Sequence, residues 1–171
     1  MNLLLFLFVF LVGCIAGSFL NVAILRGVEK ESFGGRSKCL SCGKILSWFE
    51  LIPVASFLIQ KGRCRSCGAE LSLQYPLVEF GTGILYAASL WHILGRGASG
   101  YLDATRPSEI GLILFVFVAL SAAVVILVSD FRFEIIPNGA VLILLLVGLA
   151  AMMYRVMYLA KIGAAAPILA R

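Results

Sequence analysis

Residues 39–43 read Cys-Leu-Ser-Cys-Gly, and residues 64–68 read Cys-Arg-Ser-Cys-Gly. Two Cys-x-x-Cys pairs at this separation are typical of a four-cysteine metal site. Four thiolates without imidazole or carboxylate suit Zn²⁺ in a closed tetrahedral site, which is structural because no position is left for water. We therefore predict that one zinc ion is bound by Cys39, Cys42, Cys64 and Cys67.

A glycine follows the second cysteine of each pair, where we expect a Cβ to obstruct the backbone that turns around the metal. The sequence of residues 39–47 also repeats in residues 64–72, as two facing turns of one small ribbon would. The alternative to zinc is a pair of disulfides. Disulfides need an oxidising compartment, so this alternative depends on which side of a membrane the segment faces.

The composition excludes an ordinary soluble domain. The chain has 171 residues, of which 61% are hydrophobic and 13% charged, and its mean hydropathy is +1.04. It is therefore predicted to be an integral membrane protein. Residues 26–70 are enriched in Lys and Arg, and a basic zinc module could contact nucleic acid. The positive-inside rule already explains basic residues beside a span, so no nucleic-acid partner is expected.

Four apolar stretches are long enough to cross a membrane: residues 3–25, 75–94, 109–128 and 139–160. The first would be about 35 Å long as a helix, against a hydrocarbon core of about 30 Å. It contains Leu11-Val12-Gly13-Cys14, which resembles a lipoprotein cleavage box. A charged segment does not precede it and the apolar run continues beyond it, so a retained span is favoured over a lipid anchor. The predicted fold is an all-α polytopic membrane protein with about four transmembrane helices.

The predicted organisation has three parts: a first transmembrane helix in residues 1–26, a cysteine module in residues 27–74, and transmembrane helices 2 to 4 in residues 75–171. Residues 48–59 are apolar but too short to span, so we expect them to pack on the membrane surface or the bundle. If the basic module is cytoplasmic, the number of spans between them places residues 129–138 on the cytoplasmic face as well. A cytoplasmic module keeps its thiols reduced, which favours zinc over disulfides.

Three polar residues at span ends are candidate functional residues. Asn21 either bonds a neighbouring helix or belongs to a functional surface. Glu79 is either functional or an interfacial side chain that snorkels or forms a salt bridge. Asp130 suits aspartic proteolysis, in which one carboxylate takes a proton from water while a partner acid hydrogen-bonds the scissile carbonyl. The alternative for Asp130 is an interfacial ion pair with Arg132.

Four motifs occur in order: Gly-Ser-Phe-Leu-Asn-Val at 17–22, the double cysteine pair, Tyr-Pro-Leu-Val-Glu at 75–79, and Asp-Phe-Arg-Phe-Glu-Ile-Ile-Pro-Asn at 130–138. This order resembles the bacterial type IV prepilin peptidases, also described as prepilin leader peptidase/N-methyltransferases. The resemblance covers roughly residues 11–140. It implies an aspartic endopeptidase of the bacterial inner membrane that serves type IV pili or type II secretion.

The resemblance implies the following chemistry. The leader of prepilins and pseudopilins is removed at the cytoplasmic face, and the new N-terminus is methylated with S-adenosylmethionine. Asp130 matches the first catalytic aspartate, and Cys39, Cys42, Cys64 and Cys67 match the metal-binding cysteines. Glu79 matches a motif residue without an assigned role.

The chain departs from the family pattern in its aspartates. The family places a second catalytic aspartate in a Gly-x-Gly-Asp motif on a later span, whereas the only aspartates here are Asp103 and Asp130. Asp103 is expected on the opposite face, and Glu134 is too close in sequence to Asp130 to replace the partner. We expect a truncated family member whose activity requires residues beyond Arg171. The alternative is a non-catalytic, zinc-stabilised membrane protein that binds prepilins or a pilus or secretion assembly partner.

Overall fold

The structure is a computed structural model that describes residues 3–29, 34–96 and 107–165. These residues form helices and turns, with isolated β-bridges but no β-strand. The α-helices are α1 (Leu3–Glu29), α2 (Ala55–Ile59), α3 (Gln74–Arg96), α4 (Pro107–Phe133) and α5 (Asn138–Ala165), and a 3₁₀ helix covers Trp48–Leu51. The predicted all-α fold is confirmed.

Three helical segments in the described part of the chain are long and apolar enough to cross a membrane: Leu3–Val28, Gln74–Leu94 and Ile110–Phe133. Many of their large apolar side chains, such as Phe8 and Leu127, are exposed, as lipid contact requires. The protein is therefore a multi-pass membrane protein. The predicted fourth span lies in α5, whose described apolar segment, Asn138–Tyr154, is shorter. A fourth span stays a prediction.

Helices α1 and α3 form a close antiparallel pair. The rings of Phe6 and Trp91 lie 5.5 Å apart near one end, and Asn21 contacts Tyr75 at the other end. A Cβ on Gly13 would lie only 2.7 Å from the Cα of Gly83. The approach of the two backbones therefore depends on small residues, as is typical of transmembrane helix pairs.

Helix α4 packs against this pair through an aromatic contact. The ring of Tyr86 on α3 stacks on Phe117 of α4, with centroids 4.0 Å apart. The Tyr86 hydroxyl also lies 2.6 Å from the Ser121 hydroxyl. At its far end, α4 brings Arg132 to a cavity that is also lined by residues of the cysteine module. The segment around Asp130 and the cysteines therefore lie at the same end of the bundle.

Two helices extend past their predicted ends. Helix α1 continues to Glu29 rather than ending at Leu25, and α4 continues to Phe133 rather than Val128. The predicted bounds followed apolar runs, whereas helical hydrogen bonding continues where polar side chains reach the membrane interface. Helix α4 ends where Glu134 adopts a left-handed conformation, with φ 52°.

Candidate metal centre and membrane-interface site

The two cysteine pairs lie on turns of the same construction. The Gly43 N–H donates to the Cys39 carbonyl, and the Gly68 N–H donates to the Cys64 carbonyl, each at 2.9 Å. One antiparallel bridge closes each turn; the bridges pair Lys38 with Ile45 and Arg63 with Glu70. The sequence repeat is thus a repeat of local structure.

The reason proposed for the two glycines was wrong. A Cβ on Gly43 or Gly68 would meet no atom within 4 Å. Both residues have φ +70°, a left-handed conformation that glycine adopts without steric cost. The turn geometry selects glycine, and crowding around the metal does not.

The turns bring the four cysteine side chains together. The Sγ atoms of Cys39, Cys42, Cys64 and Cys67 all lie within 4.8 Å of one another, and those of Cys39 and Cys67 are 4.0 Å apart. A tetrahedral zinc site with Zn–S bonds of about 2.3 Å separates its sulfurs by about 3.8 Å. The cluster therefore fits a metal ion of this kind. All these cysteines are free thiols, so the disulfide alternative is not observed.

The local backbone favours thiolates in this cluster. Hydrogen bonds from the N–H groups of Cys42 and Ser41 lower the pKa of Cys39 to about 6. The N–H groups that follow Cys64 lower its pKa in the same way. Although a backbone N–H also favours the Cys67 thiolate, burial and contacts with the other thiols raise the pKa of Cys67 to about 11. A divalent cation would relieve this crowding of negative charge.

A buried carboxylate stabilises the module beside the cysteines. Glu50 is 6% exposed, and it accepts hydrogen bonds from the Ser47 N–H at 2.9 Å and the Lys44 ammonium at 3.2 Å. These contacts, the Ser47 N–H above all, hold the pKa of Glu50 below its ordinary value. Sequence reasoning missed Glu50, although Ser47-x-x-Glu50 has capping-box spacing.

Glu79 connects the membrane helices to the module. It is 7% exposed, and its Oε2 accepts a 2.7 Å hydrogen bond from the Val54 N–H. Val54 has φ 60° and is the central residue of a tight turn in which the Ala55 N–H donates to the Pro53 carbonyl. A β-branched residue in this conformation is strained. Among the described residues Glu79 has no ion-pair partner, so the salt-bridge alternative is not observed.

Asn21 joins α1 to the start of α3, as one of its two predicted roles requires. It is 1% exposed. Its Nδ2 donates to the Tyr75 carbonyl at 3.2 Å, and its Oδ1 accepts from Gln74 Nε2 at 3.3 Å. Both the nitrogen and the oxygen of the Asn21 amide therefore form hydrogen bonds. Bonding to a neighbouring helix is confirmed for Asn21.

Asp130 lies near the end of α4 and is exposed. It forms no ion pair with Arg132 in the described part of the chain; the Arg132 guanidinium lies 6.0 Å from the centroid of the Phe133 ring. The hydroxyl of the preceding Ser129 is fully buried and has no hydrogen-bond partner among these residues. Asp103 is outside the described residues. The catalytic role of Asp130 stays a prediction.

A cavity of about 400 Å³ lies where the module meets the helix ends. Its walls come from α1, the cysteine module, α3 and α4. They include Ser18, Arg26, Cys39, Phe57, Glu79 and Arg132. The cavity therefore brings residues of all four sequence motifs to one place.

The fold and the site together define a polytopic helical membrane protein with a four-cysteine module at one end of its helices. Residues 11–93 match the family "Bacterial Peptidase A24 N-terminal domain". The chain is similar to prepilin leader peptidase/N-methyltransferases of several bacteria, and no solved structure matches it. The chain belongs to this family.

Three relatives show the extent of the similarity. The Bacillus subtilis protein is 38% identical over 144 residues, which are 83% of this chain and 52% of the relative. The Klebsiella pneumoniae protein is 35% identical over 150 residues, covering 83% and 59%. The Myxococcus xanthus protein is 46% identical over 84 residues, covering 48% and 25%. The chain spans about half the length of the first two relatives.

Proposed function

We propose that this chain carries the cysteine module and the first catalytic aspartate of a membrane endopeptidase. The enzyme removes the leader of type IV prepilins and pseudopilins and then methylates the new N-terminus. The observation that carries the proposal is that Asp130 lies near the end of α4, two residues before Arg132, which lines the cavity at the module's end of the bundle. The family relationship supports it.

Asp130 acts in this proposal as the general base. Its carboxylate takes a proton from water and the water oxygen bonds to the scissile carbonyl carbon. The C–N bond then breaks as this proton passes to the leaving nitrogen, which gives a carboxylic acid and an amine. Aspartic proteolysis also needs an acid that hydrogen-bonds the carbonyl oxygen. The 171 residues contain no Gly-x-Gly-Asp motif, so cleavage is best tested together with the part of the enzyme that supplies that acid.

The cysteine cluster is proposed to bind one structural zinc ion. Four thiolates close the coordination shell, so the ion would hold Cys39, Cys42, Cys64 and Cys67 in place and would not activate water. S-adenosylmethionine would supply the methyl group for the new amine, with S-adenosylhomocysteine and a proton as the other products.

The module and Asp130 are proposed to face the cytoplasm of a bacterial inner membrane. The basic residues beside the first span support this orientation. Cysteines placed one at a time at Glu134 and at His92, in a chain whose native Cys14 is serine, test it with a membrane-impermeant thiol reagent. Because the four cysteines of the module remain, labelling is read at each introduced position by peptide mass spectrometry. Labelling of the Glu134 position only in inverted vesicles, and of the His92 position only in right-side-out vesicles, is expected. The reverse pattern would overturn the orientation.

A chimaera tests the proposed activity. In this protein, residues 1–165 replace the matching part of the Bacillus subtilis relative, and leader removal from a prepilin is followed by mass spectrometry. Cleavage and a gain of one methyl group on the new N-terminus are expected. A chimaera that retains zinc and binds prepilin without cleaving it would instead support the non-catalytic binding protein.

A further inference from the structure

The cavity has a distribution of charge that favours one class of ligand. Its buried wall carries the Glu79 carboxylate, 7% exposed, whose Oε2 is held by the Val54 N–H. Arg36 and Arg132, which also line the cavity, are exposed. A buried negative group and exposed positive groups suit a ligand that carries a cationic centre and a carboxylate.

The remaining wall suits an adenosine group. Phe57 and Tyr75 supply aromatic surface on which a purine can stack, and Gln60 and Gln74 supply amide groups for its polar edge. A volume of about 400 Å³ lies within the range of pockets that bind small molecules and cofactors. Apolar side chains such as Leu51 complete the enclosure.

We propose that this cavity binds S-adenosylmethionine, with Glu79 facing the sulfonium centre and with Arg36 and Arg132 binding the methionyl carboxylate. The inference rests on the methyltransferase part of the proposed function and assigns its site. Arg132 follows Asp130 by two residues on α4. The methyl donor would therefore lie at the same end of α4 as the carboxyl that is proposed to act in cleavage.

Binding to the purified chain in lipid nanodiscs tests the site directly. Radiolabelled S-adenosylmethionine and S-adenosylhomocysteine are titrated separately by equilibrium dialysis. The two ligands share adenosine and carboxylate, but only the first carries the sulfonium charge. We expect saturable binding of both ligands.

Glu79→Gln removes the charge while its amide oxygen still accepts from the Val54 N–H. We expect this variant to weaken S-adenosylmethionine binding at least about tenfold and S-adenosylhomocysteine binding less than about threefold. Glu134→Gln, which changes an exposed carboxylate outside the cavity, is the matched control and should leave both affinities unchanged.

Arg132→Gln provides an independent variant, because it should weaken the binding of both ligands by a similar factor. Lys61→Gln, outside the cavity, should leave the affinity for both ligands unchanged. The assignment is overturned if the chain shows no saturable binding up to about 1 mM, or if Glu79→Gln changes both affinities equally or neither. Leader cleavage needs no methyl donor. A chimaera that cleaves without binding the donor thus overturns this inference alone, and one that binds without cleaving overturns the peptidase proposal alone.

Discussion

The carboxylate of Glu79, on membrane helix α3, accepts a 2.7 Å hydrogen bond from the backbone N–H of Val54, in the cysteine module. Gly17 of α1 approaches the α3 backbone at this same residue, since a Cβ on Gly17 would lie 2.7 Å from the Cα of Glu79 and 2.8 Å from the Val78 carbonyl oxygen. The module is thus attached at one of the two positions where a glycine of α1 lies against the α3 backbone. We infer that Glu79 sets the position of the module over the helix ends.

Replacing Glu79 with alanine should loosen the module. The Val54 N–H loses its acceptor, and an unsatisfied, partly buried donor costs about 1 to 3 kcal/mol. Hydrogen exchange of residues 51–60, followed by mass spectrometry, should be faster in Glu79→Ala than in the parent. Glu79→Gln retains an acceptor and should exchange at nearly the parent rate. Equal exchange in all three proteins would show that this hydrogen bond does not position the module.

Adding a methyl group at Gly13 should separate α1 from α3. The new Cβ would lie 2.7 Å from the Gly83 Cα and 2.9 Å from the Thr82 carbonyl oxygen, and backbone atoms cannot move aside as a flexible side chain can. We expect Gly13→Ala to lower the free energy of unfolding by about 1 to 3 kcal/mol. Thermal unfolding in detergent measures the change.

The control for this substitution is on the same helix. A Cβ on Gly27 would meet no atom within 4 Å, so Gly27→Ala should leave the unfolding temperature unchanged or slightly raised. If both variants unfold at the parent temperature, the close helix contact does not contribute to stability.

The metal centre predicts a specific dependence on cysteine. Elemental analysis of the purified protein should find about one zinc per chain, and Cys39→Ser or Cys64→Ser should abolish it, because three thiolates no longer close a tetrahedral site. Cys14→Ser is the matched control: Cys14 is also a buried free cysteine, but its Sγ faces Gly83 between α1 and α3. A well-folded parent without metal would refute the site.

Acid should weaken the module partly through Glu50. Because its pKa in the folded protein is below the ordinary value, its contribution to stability is complete above the ordinary pKa and is lost as pH falls through the lowered one. Proteolysis of the module between pH 7 and pH 3 should therefore show a smaller pH dependence in Glu50→Gln than in the parent. Glu70→Gln, at an exposed ion pair of 3.5 Å, should behave like the parent. The same acid response in parent and Glu50→Gln would contradict this role.

Local patterns predicted much of this molecule. The cysteine cluster follows from spacing within two short turns, and the membrane helices follow from apolar runs of sufficient length. The close contact at Gly13 and Gly17 was missed, although a Gly-x-x-x-Gly spacing is visible in the sequence and is a known signal of helix packing.

Other features depend on tertiary structure. Sequence reasoning could mark Glu79 as an unusual acid in a span, but its partner, the Val54 N–H, is 25 positions away and in a strained turn. The cavity likewise combines residues from Ser18 to Arg132, which are brought together only when α1, α3 and α4 pack. Pattern and spacing do not identify such contacts.

The rate of prepilin cleavage by the chimaera with and without Asp130 tests the peptidase proposal most directly. Asp130→Asn should lower the rate by at least about 100-fold, because an amide cannot take a proton from water, while zinc content and folding stay unchanged. Glu134→Gln, on the same face, should cleave at the parent rate. Cleavage by Asp130→Asn at the parent rate would contradict the role assigned to Asp130.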